Sequence, residues 1–79
     1  MPAASPAEPV SRIEQEVGRL RAMVEKRQFT QSAAAAASLL EEVPENRDIL
    51  YILAVSQRYL GRVADALRTL ERLKTRGQL

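Results

Sequence analysis

The chain has 79 residues, enough for one small domain, and its 46% hydrophobic and 28% charged residues are typical of a soluble globular protein. It contains no cysteine and no histidine, which excludes a disulfide framework, a thiolate site and the usual neutral-pH general base. The net charge of +2 is too small to indicate a nucleic-acid binder, and the few aromatic residues and glycines favour an all-α fold.

The start of the chain predicts a leader followed by a capped helix. Three of the first ten residues are prolines, which lack an amide donor and disfavour helix at the preceding residue, so we predict a disordered leader over 1–10. Ser11 and Glu14 form a capping box, and the first helix is predicted from Ser11 to Lys26. Its apolar stripe recurs every three or four residues and consists of Val10, Ile13, Val17, Leu20 and Val24.

The second helix is predicted from Thr30 to Glu42, after a break in the apolar pattern. Five consecutive alanines at 33–37 have the highest helix propensity of any residue type. They also allow a neighbouring helix to pack at close range. Pro44 follows the helix and marks the end of this segment.

The third and fourth helices are predicted on either side of Gly61. Asn46 can cap the third helix, and Asp48 lies in its first turn, where a negative charge is favourable. Residues 49–55 are almost all apolar, so this helix should be covered on several sides, as the interior member of a four-helix stack. Gly61 can adopt the left-handed conformation that ends a helix, and Gly77 ends the fourth. The apolar face of the fourth helix consists of Val63, Ala66, Leu67, Leu70 and Leu73.

An internal repeat relates the two halves. The turns at Arg27 and Gly61 are 34 residues apart, and the small residues Ala54 and Ala66 occur where two helices must approach closely. This pattern resembles the tetratricopeptide repeat, a helix–turn–helix unit of about 34 residues. The resemblance implies an α-α superhelix of four helices in two stacked hairpins.

The resemblance also divides the domain at 11–79 into repeat one at about 11–44 and repeat two at about 45–79. Repeat two carries the family's small residues and glycine. Repeat one departs from the pattern, because Leu20, Arg27 and Ser32 stand where a small residue, glycine and alanine are usual.

In this family the concave face, lined by the first helix of each repeat, usually binds the partner. Carried over by position, that face consists of Val17, Arg21, Val24, Asp48, Tyr51, Val55, Arg58 and Tyr59. Members that hold a peptide carboxylate use lysine and asparagine at such places, and this chain departs from that clamp. The alternative is that Tyr51 is a core residue and Arg58 a solvated charge.

The apolar face of the fourth helix is a second candidate surface, because no following helix covers Leu67, Leu70 and Leu73. A single helix pair cannot bury its own apolar face, and about three repeats are usually needed for a stable stack. We therefore expect either further repeats after this segment, which we favour, or self-association into a homo-oligomer through this face.

No motif for catalysis, cofactor binding or metal binding is found. Glu41, Glu42 and Glu45 form a small acidic group, for which a solvated helix end is the favoured interpretation over a metal site. The arginines after Tyr59 are spaced for pairing within a helix with Asp65 and other acids, which we favour over contacts with nucleic acid or lipid. We therefore expect neither catalytic residues nor a cofactor.

The sequence as a whole predicts a non-catalytic protein–protein interaction or self-association module. Neither a signal peptide nor a membrane span is apparent, so the cytoplasm is the expected location, and ten arginines against two lysines suggest a bacterial source. The alternative starts from the stretch Val43 to Arg62, which is similar to the N-terminal repeats of bacterial tetratricopeptide-repeat sulfotransferases. That similarity implies that this chain is the N-terminal segment of a larger enzyme and is inactive by itself. A nucleic-acid binder is the third and least favoured interpretation.

Overall fold

The computed structural model describes residues 9–77, with side-chain surroundings described for 12–75. This part of the chain forms four α-helices and no strand, which confirms the all-α prediction. The helices are α1 (Pro9–Glu25), α2 (Phe29–Leu40), α3 (Arg47–Tyr59) and α4 (Val63–Gly77).

Helix α1 begins at Pro9, so the predicted cap at Ser11 is wrong. Proline suits the first position of a helix because its φ is already helical and its missing N–H would have no partner there. The predicted leader is therefore too long by Pro9 and Val10, and its remaining residues, 1–8, lie outside the described residues. At the other end, α1 stops at Glu25, one residue before the predicted end.

Helix α2 is displaced towards the N-terminus relative to the prediction. It begins at Phe29 and ends at Leu40, two residues before the predicted Glu42. The amides of Glu42 and Val43 both donate to the carbonyl of Leu39, at 2.9 and 3.0 Å, and this tight final turn leads the chain away from the helix axis. The residue before Pro44 is disfavoured in helical conformation, so the helix has to end before it.

Helix α3 is the centre of the fold. Its cap is as predicted: the Asn46 side chain accepts a hydrogen bond from the amide of Ile49 at 3.0 Å. Within residues 9–77, α3 packs against each of the other three helices, whereas α4 packs against α3 and no other helix. Ile49 and Leu50 of α3 have no exposed surface, which confirms the predicted interior position.

The core lies where α1, α2 and α3 meet. Aliphatic side chains from all three helices fill it, and alanines of α2 allow α3 to approach closely. Ser32 and Ser56 form a buried hydroxyl–hydroxyl hydrogen bond of 2.5 Å between α2 and α3. The buried apolar residues that form this core are Ile13, Val17, Leu20, Ala33, Ala36, Leu39, Leu40, Ile49, Leu50, Ile52 and Leu53.

The two hairpin turns have the same backbone structure. Arg27 has φ 62° and Gly61 has φ 82°, so the residues related by the 34-residue offset are both left-handed. Each turn carries the pair of backbone hydrogen bonds that defines a Schellman motif. The donor and acceptor residues are Arg27 to Val24 (2.9 Å), Gln28 to Met23 (2.8 Å), Gly61 to Arg58 (3.0 Å) and Arg62 to Gln57 (2.9 Å). The two turns that lie 34 residues apart in the sequence therefore have the same backbone conformation.

We expect the substitution Arg27→Gly to raise the free energy of unfolding by about 1 kcal/mol, because a side chain in the left-handed region is strained. Gly61→Ala should lower it by about 1–2 kcal/mol for the same reason. A β-carbon at Gly61 would meet no atom within 4 Å, so its effect would arise from the backbone alone. Urea unfolding followed by circular dichroism measures both changes. A loss of stability in Arg27→Gly would contradict the left-handed conformation at that turn.

Candidate interaction surface

An open and mainly apolar groove lies between α3 and α4. It encloses about 390 Å³. Its floor is formed by the buried Ala54 and Ala66, whose small side chains let the two helices approach closely. We call it the α3–α4 groove; its lining residues are Tyr51, Ala54, Val55, Arg58, Val63, Ala66, Leu67 and Leu70.

The equivalent groove in the first hairpin is filled by α3. The 34-residue offset relates Tyr51 to Val17, Leu67 to Ala33 and Leu70 to Ala36. The first-hairpin residues are 0–6% exposed because α3 packs over the pair α1 and α2. Their second-hairpin counterparts are 42–60% exposed. The α3–α4 groove is therefore the position that a further helix would occupy.

Larger side chains line the α3–α4 groove than line the equivalent groove of the first hairpin. Leucines replace two alanines of the first hairpin, so a helix in the α3–α4 groove would lie farther from its walls than α3 lies from α2. Arg58 is the sole charged residue among those that line it, and the remaining lining is apolar. The groove thus favours an apolar helix face over a polar peptide.

The residues predicted for self-association divide into two groups. Leu67 and Leu70 are exposed and line the α3–α4 groove, whereas Leu73 is partly buried against the core. Tyr51 and Val63 were not among the residues predicted for self-association, but they line the same groove. The interpretation of Tyr51 as a core residue is wrong, since 59% of it is exposed.

The predicted concave face corresponds to two neighbouring clefts between α1 and α3. One, of about 220 Å³, is lined by Arg21, Val24, Glu25, Tyr51, Ile52 and Val55. The other, of about 560 Å³, is lined by Ile13, Glu14, Val17, Arg21, Val43, Asn46 and Asp48. The structure thus brings together Arg21, Val24, Tyr51 and Val55, with Asp48 beside them.

The remaining predicted concave residues contribute less to these clefts. Val17 is 5% exposed and belongs to the core. Arg58 lines the α3–α4 groove, and the ring of Tyr59 stacks on Phe29 of α2 with centroids 4.6 Å apart and planes at 6°.

The charged residues of the concave face are mainly acidic. Arg21 Nη2 lies 3.6 Å from Asp48 Oδ1, and both side chains are more than half exposed. Such an exposed pair contributes roughly 0–1 kcal/mol. Glu14 and Glu25 also line the clefts, which does not favour them as a site for a peptide carboxylate.

Two other ion pairs lie on the exposed surface of the described residues. Glu42 pairs with Arg12, which links the end of α2 to α1, and Asp65 pairs with Arg68 within α4, as its spacing predicts. Between residues 9 and 77 there is no group of three or more histidine, cysteine, aspartate or glutamate residues that could hold a metal ion. None of the helices in the described part is sufficiently long and apolar to cross a bilayer.

Comparison with known proteins found no matching family model, no matching curated protein and no matching solved structure.

Proposed function

We propose that this chain is a non-catalytic interaction module of tetratricopeptide-like repeats that binds an amphipathic helix of a protein partner in the α3–α4 groove. The supporting observation comes from the chain itself: helix α3 fills the equivalent groove of the first hairpin, between α1 and α2. The fold therefore already contains an example of the complex that the groove would form.

The exposed side chains of the groove would supply the binding energy. Tyr51, Val63 and Leu67 are 59–60% exposed, and fully burying a large apolar side chain contributes about 1.5–3 kcal/mol relative to leaving it in water. A partner helix would present apolar residues at positions i, i+3 or i+4, and i+7. Small residues among them would fit between the leucines of α4.

The charge at the groove indicates one further property of the partner. Arg58 lines the groove and Arg62 is exposed in the adjacent turn, so this end of the groove is basic. An acidic residue on the partner helix would be favoured there, and would mainly increase the association rate and specificity.

A second candidate follows from the same open groove: the chain is the N-terminal segment of a longer repeat protein, such as a repeat-containing sulfotransferase, and the next repeat covers α3 and α4. The reading frame discriminates between the candidates. Continuation past Leu79 into further repeats and a transferase domain would support the segment, and a stop codon there would support the stand-alone module.

Methyl NMR tests the module directly. The synthetic peptide of residues 46–60, which is α3 with its cap, is titrated into the methyl-labelled chain. We expect shifts at Val55, Val63, Leu67 and Leu70, and their loss in Leu67→Glu but not in Ala37→Glu, which adds the same charge on the exposed side of α2. Shifts confined to Val17 and Val24 would move the site to the concave face, and no shift at any methyl group would contradict the proposal.

A further inference from the structure

We infer that the helical partner is a second copy of this chain, with two α3–α4 grooves facing each other across a two-fold axis. This inference rests on the proposed function, since it uses the same groove. It goes further by naming the partner, the symmetry and the surface that each copy contributes.

The α3–α4 groove is the apolar face that a second copy can contribute. Among the described residues, the large exposed hydrophobic side chains lie on α3 and α4. Of these, Tyr59 already stacks on Phe29, and the other four, Tyr51, Val63, Leu67 and Leu70, line the α3–α4 groove. When both copies use the same patch, the interface is isologous and closes as a dimer with two-fold symmetry.

A head-to-tail arrangement of two copies is unfavourable. Such stacking would place the outer side of α1 from one copy over the groove of the next, as α3 lies over the first hairpin. The exposed residues of α1 include Arg12, Glu14, Gln15 and Arg19. Burying these charges against leucines without partners is strongly unfavourable. The outer side of α1 is therefore suited to the end of a stack.

The sizes of the lining residues also favour face-to-face pairing. The first hairpin has alanines where α3 brings large side chains, but the α3–α4 groove has leucines at the corresponding places. Two faces with large side chains pack at the wide end of the usual 8–10 Å range of helix separations. Face-to-face pairing of two such grooves produces a four-helix layer in which leucines from the two copies interleave.

The available area sets the strength of this dimer. A stable interface removes about 800 Å² from each partner. That is about one seventh of the 5405 Å² surface of this chain. At a rise of 1.5 Å per residue and a diameter of about 10 Å, α3 and α4 share a face of roughly 20 by 20 Å, which is smaller than that area. We expect a dimer with a dissociation constant in the micromolar range.

Sedimentation equilibrium over roughly 1–500 μM chain measures the association. The mass should rise from 8.8 kDa towards twice that value. Leu67→Glu and Leu70→Glu should each raise the dissociation constant at least a hundredfold while circular dichroism stays helical, and Ala37→Glu should leave it unchanged. A constant mass of 8.8 kDa, or dimerisation unaffected by both leucine substitutions, would overturn the inference.

Cross-linking tests the symmetry, since the chain has no cysteine of its own. Single-cysteine variants at Val55, Val63, Leu67 and Leu70 are oxidised separately. A two-fold axis through the groove brings at least one of these positions close to its own copy, so a homodimeric disulfide should form there and not in Ala37→Cys. If the dimer forms but none of the four positions cross-links, the two-fold arrangement is wrong.

The peptide titration separates this inference from the proposed function. If the chain is monomeric but the peptide shifts the groove methyl groups, the helix-binding module is supported and the second copy is rejected. If the chain is monomeric and the peptide does not bind, both proposals fail. If the chain dimerises through Leu67 and Leu70, added peptide should compete with the second copy and lower the average mass.

Discussion

The substitution Leu50→Ala should lower the free energy of unfolding by about 2–5 kcal/mol, because it leaves a cavity as well as removing apolar contacts. Leu50 has no exposed surface and lies on α3, which packs against all three other helices. A core of this size supplies only about 3–5 kcal/mol of net stability, so the variant should be substantially unfolded at room temperature.

Urea unfolding monitored by circular dichroism measures this effect, and Leu67→Ala is the matched control. The control makes the same change in side chain at a residue that is 60% exposed. Both variants are studied at low micromolar concentration, because a dimer would add a concentration-dependent contribution to the stability. Similar losses in the two variants would show that Leu50 is not at the centre of the core.

The helices themselves could be predicted from the sequence because their signals are local. The cap at Asn46 and the left-handed Gly61 need only a few neighbouring residues, and the structure shows both where they were predicted. Pro9 was misassigned because proline both breaks helices and begins them. The choice between these roles depends on the residues that follow, and the capping box at Ser11 favoured the wrong one.

The candidate surface was harder to predict because exposure depends on what lies opposite. Tyr51 and Val17 are equivalent in the repeat, yet Val17 is buried and Tyr51 is exposed. No local property of either residue distinguishes them. The difference arises because a helix follows the first hairpin and packs over it, whereas no described helix packs over the second.

The buried serine pair could not be predicted from the sequence, because it depends on the register between two helices. In the sequence, Ser32 is only a departure from the repeat pattern, at a place where alanine is usual. The structure brings the hydroxyl groups of Ser32 and Ser56 to 2.5 Å in the interior between α2 and α3. A buried polar pair fixes one register of two helices more strictly than apolar contacts, which tolerate sliding.

Ser32→Ala should lower the free energy of unfolding by about 1–3 kcal/mol, because it leaves a buried hydroxyl without a partner. Ser32 Oγ lies 3.2 Å from the carbonyl oxygen of Phe29, which can only accept, so Ser32 donates there and Ser56 donates to Ser32. In Ser32→Ala the hydroxyl of Ser56 loses its acceptor. In Ser56→Ala the hydroxyl of Ser32 keeps its bond to Phe29, so we expect the smaller loss.

A double-mutant cycle tests the pair. Ser32→Ala/Ser56→Ala removes both polar groups together, so no buried hydroxyl is left unsatisfied, and it should be no less stable than Ser32→Ala alone. The free energies of unfolding of all four proteins come from the same urea titrations. Losses that simply add would mean that the two hydroxyl groups act independently. A coupling of about 1 kcal/mol or more, with Ser32→Ala the less stable single variant, would confirm the direction of the hydrogen bond between α2 and α3.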